Sequence, residues 1–373
     1  MKNKEMFRVF GFDRGLLIVT LALLAVGWIW VYSSSSLLAA EKYHFQLHFL
    51  LHQVIGSVAG LILIAMLIRV RKPFFQNPYI VYTLLAGTFF LLAVCFVMPP
   101  TARVNRWVQF MGIRFQPSEL AKISLVLFLA YYLDKKKDSL HEFRTIVFPI
   151  GVLAVFVLLV AKEPDFGTAV LIALICAILL FIGGVKARHL AMLSIIGAAL
   201  FTVYLFQAPY RLERVTSFMS PEKDPLDKGF QVIQSKMAVG AGGLLGVSIG
   251  ESKQKLSFLP SAHTDFIYAI IGEEFGLLGT LTVLALFLAF LWRGLRIASR
   301  APSFSGQMIA VGLTLVICIQ ALINISVALG LAPAKGLPLP LISYGRSSLL
   351  CNLAAVGILL NISQRKTIAG VAS

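Results

Sequence analysis

Long apolar runs alternate with short polar connections along the whole chain, and that alternation predicts the fold before any motif is read. A helix crossing about 30 Å of hydrocarbon needs roughly 17 to 25 apolar residues. Ten segments meet that length: 15–33, 47–68, 79–98, 117–133, 145–161, 168–184, 190–207, 264–291, 307–329 and 341–363. The first runs from Gly15 to Tyr32, longer than the roughly 7 to 15 residues of a signal-peptide core, and so reads as an uncleaved first helix. The one sizeable polar interval is 208–263, in which Ser220 to Lys228 is turn-rich and charged. Gly229 to Gly246 then reads as a short amphipathic helix running into a glycine cluster. Gly240, Gly242, Gly243 and Gly246 lack both the spacing and the preceding strand of a dinucleotide loop. The expectation is an all-α polytopic membrane protein with about ten transmembrane helices. It forms one integral membrane domain over 1–373, with a large extracytoplasmic loop at 208–263.

Composition agrees with that class: 58% of residues are hydrophobic and only 13% charged, outside the range of soluble domains. The formal net charge of +16 does not indicate a nucleic-acid partner, because the lysines and arginines sit in short clusters between apolar runs and form no single basic face. They act instead as topology signals. Eighteen of the 33 fall on one side, in clusters such as Lys2 to Arg14, Lys135 to Arg144 and Arg293 to Arg300. The positive-inside rule makes that side the cytoplasm. Both termini are then cytoplasmic in a multi-pass protein of the inner (cytoplasmic) membrane, and the connections before 47, 117, 168, 264 and 341 face outward. Cys95, Cys176, Cys318 and Cys351 each lie in a different apolar run, a pattern that gives neither a disulfide framework nor a metal site. No cofactor is indicated, and the sequence carries no sign for or against a divalent cation.

The polar residues near the spans crowd onto the outward half. The first group is Arg103, Asn105, Arg106, Trp107, Arg114, Gln116, Ser118, Glu119 and Lys122. Pro99 and Pro100 end one span, Pro117 opens the next at a natural first helical position, and the segment between them suits an interfacial re-entry. Glu119 and Lys122 are three apart on one helical face and can pair. One reading is headgroup snorkelling plus a structural Glu119–Lys122 bridge. The other is an anion site, which would also explain Lys162, Lys335 and Arg346 on the face where basic residues are disfavoured.

Asp265 stands at the mouth of the eighth span in the run Ala262 to Phe266, and serves there either as a helix cap or as a reactive carboxylate. Glu273 and Glu274 lie deeper, flanked by Gly272 and Gly276, and read as partners of buried polar groups. A lone interfacial His263 reads as incidental. Pro333 to Ser348, with Pro338, Pro340 and the hydroxyl of Ser343, make a broken entry to the last span. Irregular backbone at that depth needs protein or water around it, as in a loop lining a cavity.

These places carry a family resemblance. Asn105, Arg106 and Trp107 with Gly112 to Lys122 (GIRFQPSELAK), Glu163 to Thr168 (EPDFGT), Gln254 to Gly276 (QKLSFLPSAHTDFIYAIIGEEFG) and Gly336 to Ser348 (GLPLPLISYGRSS) together resemble the SEDS proteins (shape, elongation, division and sporulation), the FtsW branch more than the RodA branch. The resemblance runs nearly end to end. It implies a peptidoglycan glycosyltransferase that polymerises lipid II and releases undecaprenyl pyrophosphate, with Asp265 matching the family's essential aspartate and Trp107 a functionally sensitive tryptophan. It also implies a class B penicillin-binding protein as partner, among other division or elongation membrane proteins. Two positions depart from the family: Arg346 replaces the second glycine of SYGGSS, and Lys335 stands where Thr or Val is usual.

On this reading Asp265 is the catalytic base for an inverting glycosyl transfer. Arg106, Trp107, Arg114, Glu119, Lys122, Lys335, Ser343 and Arg346 surround the lipid pyrophosphate, the cations neutralising charge on the leaving oxygen. The rival functions are a lipid II flippase and a non-catalytic scaffold. A flippase needs charged groups along its whole path, whereas here they crowd outward apart from Glu273 and Glu274.

Overall fold

The computed structural model describes residues 11–70, 74–98, 106–110, 113–206, 230–252, 254, 262–333 and 336–369. Among these lie eleven α-helices: α1 Arg14–Tyr43, α2 His48–Ile68, α3 Pro78–Val97, α4 Pro117–Lys136, α5 Phe143–Lys162, α6 Phe166–Ile182, α7 Ala187–Phe206, α8 Phe230–Ala241, α9 Ile267–Arg300, α10 Phe304–Ala328 and α11 Arg346–Ala369. A two-stranded antiparallel hairpin, β1 Val108–Phe110 and β2 Ile113–Phe115, stands between α3 and α4. Each of the ten apolar segments coincides with a helix. Seven, namely α1, α2, α3, α5, α9, α10 and α11, are long and apolar enough to cross a membrane by length and composition. The sequence explains why α4 and α6 fall outside that group. The first carries Glu119, Lys122, Asp134, Lys135 and Lys136, and the second has 17 residues.

Helix starts follow capping chemistry. Asp13 accepts from the Leu16 amide at 2.8 Å and opens α1, Asn77 followed by Pro78 opens α3, and Ser303 caps α10. These satisfy amides that have no partner within the helix. At the same end of the bundle, the Asn361 amide donates to the carbonyls of Leu67 (2.9 Å) and Val70 (2.7 Å), joining α11 to the end of α2. The helices α4, α10 and α11 form the centre, buried along most of their lengths.

Three elements differ from the sequence expectation. The segment ahead of Pro117, read as an interfacial re-entry, carries a β-hairpin with strands at 108–110 and 113–115, its alternating apolar and polar side chains matching the two-residue period of strands. The last helix begins at Arg346, not at 341, because Pro338, Pro340 and a left-handed Leu341 (φ 65°) keep the preceding chain out of helical geometry. That loop approaches the bundle at Gly27 of α1. A Cβ there would lie 2.8 Å from the Ile342 carbonyl oxygen, so only glycine admits the loop.

The third difference is in α9, which is broken at Gly276 (φ 59°, ψ −151°), a conformation open essentially to glycine alone. The break frees the carbonyls of Glu273 and Glu274 and the amides of Leu277 and Leu278. The segment after α8 meets all four. Val247 and Ser248 donate to Glu273 and Glu274 (3.1 and 3.2 Å), while Gly243 and Leu244 accept from Leu277 and Leu278 (2.9 and 3.4 Å). The part of the long loop read as extracytoplasmic thus reaches into the break, where apolar surroundings require such pairing. Residues 208–229, 253 and 255–261 of that loop lie outside the described residues.

Candidate active site

Asp265 sits in the turn just before α9, at the head of the short half-helix that ends at the Gly276 break. Its side chain is half-buried and reaches within 3.7 Å of the position a Cβ on Gly336 would take, so it faces the loop ahead of α11. Burial lifts its carboxyl to about 6; the Arg106 guanidinium opposes that rise and Asp165 adds to it. No hydrogen bond from the Asp265 side chain caps α9, whose N-cap position is occupied by Phe266.

The loop around Gly336 to Tyr344 is held from every side. The Ser343 hydroxyl donates to the Thr264 carbonyl (2.5 Å) and accepts from the Leu339 amide (2.9 Å). The Tyr344 amide donates to the His263 carbonyl (3.0 Å), and the Gln53 amide to the Ser343 carbonyl (3.2 Å). Ser343, expected to meet substrate, is buried, and its hydroxyl joins the loop to the turn that carries Asp265. His263 packs against Phe49 and Tyr344, with ring centroids at 4.9 and 6.0 Å. Burial lowers its pKa to about 4, so it stays neutral near pH 7.

On α4, Glu119 and Lys122 pair at 2.8 Å, both buried. The Lys122 ammonium also donates to Gln320 at 2.6 Å. The pairing expected from their spacing is present, and it leaves Lys122 enclosed. Arg114 is exposed on β2 opposite Gln109, Arg106 and Trp107 are half-buried ahead of β1, and Arg346 is exposed at the first turn of α11. The hairpin is tied to α11 through Ser347, which accepts from the Gln116 amide (3.3 Å) and donates to the Arg114 carbonyl (3.4 Å). Lys335, the other expected cation, lies outside the described residues.

Glu163 and Asp165 enter the sequence reading only within the motif Glu163 to Thr168, with no role of their own. Asp165 caps α6 by accepting from the Thr168 amide (3.2 Å), and it also accepts from Gln116 (2.7 Å) and Ser118 (3.3 Å), joining α6 to α4. Glu163 is wholly buried beside Cys95, and burial raises its carboxyl to about 8. Arg106 acts electrostatically on Glu163, Asp165 and Asp265 alike. An acidic pair at the outward edge of an apolar run, three residues before a helical threonine, was the available signal. Among the described residues, no group of three or more His, Cys, Asp or Glu side chains is placed to hold a metal ion.

Glu273 and Glu274 turn inward from the broken helix, as expected of partners for buried polar groups. Ser252 donates to the Glu273 carboxylate, and Ser33 (2.5 Å) and the Gly250 amide (3.1 Å) donate to that of Glu274. An apolar groove of about 590 Å³ runs along α3 against α4, lined by Tyr79, Leu84, Gly87, Phe90, Leu91 and Leu120.

Comparison with known proteins places this arrangement. The family described as "Cell cycle protein", which joins FtsW, RodA and SpoVE, matches residues 14–368. The chain is 38% identical over 364 residues to the probable peptidoglycan glycosyltransferase FtsW of Geobacter sp. (strain M18), covering 96% of this chain and 99% of that one. It is 40% identical over 357 residues to the stage V sporulation protein E of Bacillus subtilis (strain 168), covering 94% and 97%. A chain solved under the description "Structural coordination of polymerization and crosslinking by a peptidoglycan synthase complex" superposes with a TM-score of 0.79 at 28% identity, over 96% of this chain and 99% of that one. The rod shape determining protein RodA of Thermus thermophilus shares the fold, with a TM-score of 0.71 at 24% identity over 96% and 98%. With nearly its whole length matched, this chain belongs to the FtsW/RodA/SpoVE family of multi-pass membrane proteins, the SEDS family, as an FtsW-like member.

Proposed function

We propose that the chain is a peptidoglycan glycosyltransferase that polymerises lipid II at the outer face of the cytoplasmic membrane, with both termini in the cytoplasm. The observation that carries this reading is Asp265: a half-buried carboxylate of raised pKa at the head of a broken helix, in the field of Arg106. Relatives called peptidoglycan glycosyltransferases match nearly the full length around it. Asp265 takes the proton of the acceptor sugar hydroxyl as that oxygen bonds to the donor's anomeric carbon. The bond from that carbon to the phosphate oxygen breaks with inversion, and undecaprenyl pyrophosphate leaves with the electron pair. Arg106 and Arg114 neutralise the departing charge, with Arg346 and Trp107 at the rim and Lys335 as a further cation expected from the sequence. The enclosed Lys122 shapes the same end of the site from behind, and the groove along α3 suits the polyprenyl tail.

Glu273 and Glu274 bear on the flippase alternative. They hold the loop in the break of α9 and do not continue a charged path inward, which favours the enzyme. A class B penicillin-binding protein is the proposed partner, supported by the likeness to a chain from a peptidoglycan synthase complex.

The test is gel analysis of glycan made from lipid II by the purified full-length protein, with and without the transpeptidase. Asp265→Asn should lower the rate by about 10² to 10⁴-fold at normal expression, and long glycan at the parental rate from that variant would end the assignment of Asp265 as base. A parental protein inactive under all conditions would return weight to the flippase and scaffold. For topology, Glu251→Cys in a background lacking the four native cysteines should label from outside intact cells. Labelling only after permeabilisation would reverse the orientation.

A further inference from the structure

Gln320 and Asn324 lie one turn apart on α10, both buried in the apolar interior. The Gln320 side chain accepts from Lys122 (2.6 Å) and donates to the Pro338 carbonyl (2.9 Å). The Asn324 amide nitrogen donates to two carbonyls, those of Asp265 (2.8 Å) and Leu337 (2.7 Å). Each amide nitrogen faces a carbonyl, so neither side chain can be turned about without setting oxygen against oxygen. The two residues therefore connect three parts of the proposed site, the Glu119–Lys122 pair on α4, the loop after Gly336 and the backbone of Asp265, beside the bonds that Ser343 and Tyr344 already make to the Asp265 turn.

We propose that Gln320 and Asn324 are positioning residues, one face of α10 holding the Lys122 ammonium, the 336–343 loop and the Asp265 backbone in a single hydrogen-bonded frame. This rests on the reading of Asp265 as the catalytic base. The frame keeps a constant separation between the cationic end of the site, where pyrophosphate leaves, and the carboxylate, where the proton goes. With the Ser343–Thr264 and Tyr344–His263 bonds, it fixes the irregular turn on which Asp265 stands. Loss of the Asn324 amide leaves two carbonyls without their donor and frees the turn, and misplacement by about 1 Å costs on the order of 10²-fold in rate.

The experiment compares purified full-length parental, Asn324→Ala, Asn324→Ser and Asp265→Asn proteins on lipid II, reading kcat, KM and the pH at which kcat falls to half on the acidic side. Among the described residues the charged neighbours of Asp265 are Arg106 and Asp165, unchanged in every variant. Asn324→Ala should lower kcat by about 10- to 100-fold with KM within about twofold, and move the acidic midpoint below the parental one as Asp265 gains water. Asn324→Ser, which retains one donor, should fall between. A loss of active protein alone would scale kcat without moving the midpoint, and that outcome, or a parental kcat in Asn324→Ala, overturns the proposal. Where Asn324→Ala does not accumulate, the midpoint of Asn324→Ser decides. If Asp265→Asn itself works at the parental rate, the base assignment has failed instead, independently of Asn324.

Discussion

Leu277 and Gly243, far apart in sequence, are joined by a backbone hydrogen bond of 2.9 Å from the amide of the first to the carbonyl of the second. It is one of four such bonds by which the chain after α8 replaces the ladder that α9 loses at Gly276. A side chain at Gly276 would meet both a positive φ and the Gly246 amide nitrogen, 2.6 Å from an added Cβ. Gly276→Ala should therefore destabilise the protein by at least about 1–3 kcal/mol and lower its melting temperature in detergent. An unchanged melting temperature would show that the break relaxes freely.

The Glu119–Lys122 pair and Arg106 should behave differently when neutralised. Lys122→Met strands a buried carboxylate, a change that typically costs about 3–5 kcal/mol, so folded yield and activity should fall together. Glu119→Gln with Lys122→Met removes both charges and should recover yield. Arg106→Gln, at a half-buried position, should keep yield and lose polymer. Fluorescence-detected size exclusion beside the glycan assay separates the three results.

The raised pKa of Asp265 sets a pH dependence for catalysis. A base works deprotonated, so kcat/KM should rise with pH through an apparent midpoint near 6 and level above it. A midpoint near 4 would mean that the carboxylate meets bulk water in the working protein.

Glu163 makes a prediction about stability. Its carboxyl is protonated up to about pH 8 in the folded protein and ionises near the ordinary value of 4.5 when unfolded. Between those values the folded state holds the extra proton, so this group's contribution to stability falls as pH rises. Glu163→Gln removes that loss and should stabilise the protein at pH 8 more than at pH 5 by on the order of 1 kcal/mol or more, read as a larger rise in melting temperature at pH 8. Equal gains at both pH values would place an ionised Glu163 in the fold.

Arg346 is exposed at the start of α11. Arg346→Gly should change stability by no more than about 0.5 kcal/mol and leave polymerisation within a few-fold. Loss of polymer at normal yield would give this arginine a role of its own in binding the anionic substrate.

The sequence by itself determined where the long apolar helices lie, the opening of α4 at Pro117, the pairing of Glu119 with Lys122, and the roles of Glu273 and Glu274 as partners of buried polar groups. All depend on apolar run length or on spacing within one helix, and local periodicity encodes both. Arg106 and Asp265 were found because an ionisable group beside an apolar span is costly enough to mark itself. What only the tertiary structure decided involves groups that satisfy each other across the chain. The glycine cluster after α8 read only as the end of a short amphipathic helix, yet its backbone fills the break in α9. Ser343 looked available and is consumed by Thr264 and Leu339. Gln320 and Asn324 are uncharged residues inside an apolar span, where composition alone does not mark them. Their partners are backbone carbonyls of other segments, identical in every residue type, and only the fold brings those carbonyls to the two amides.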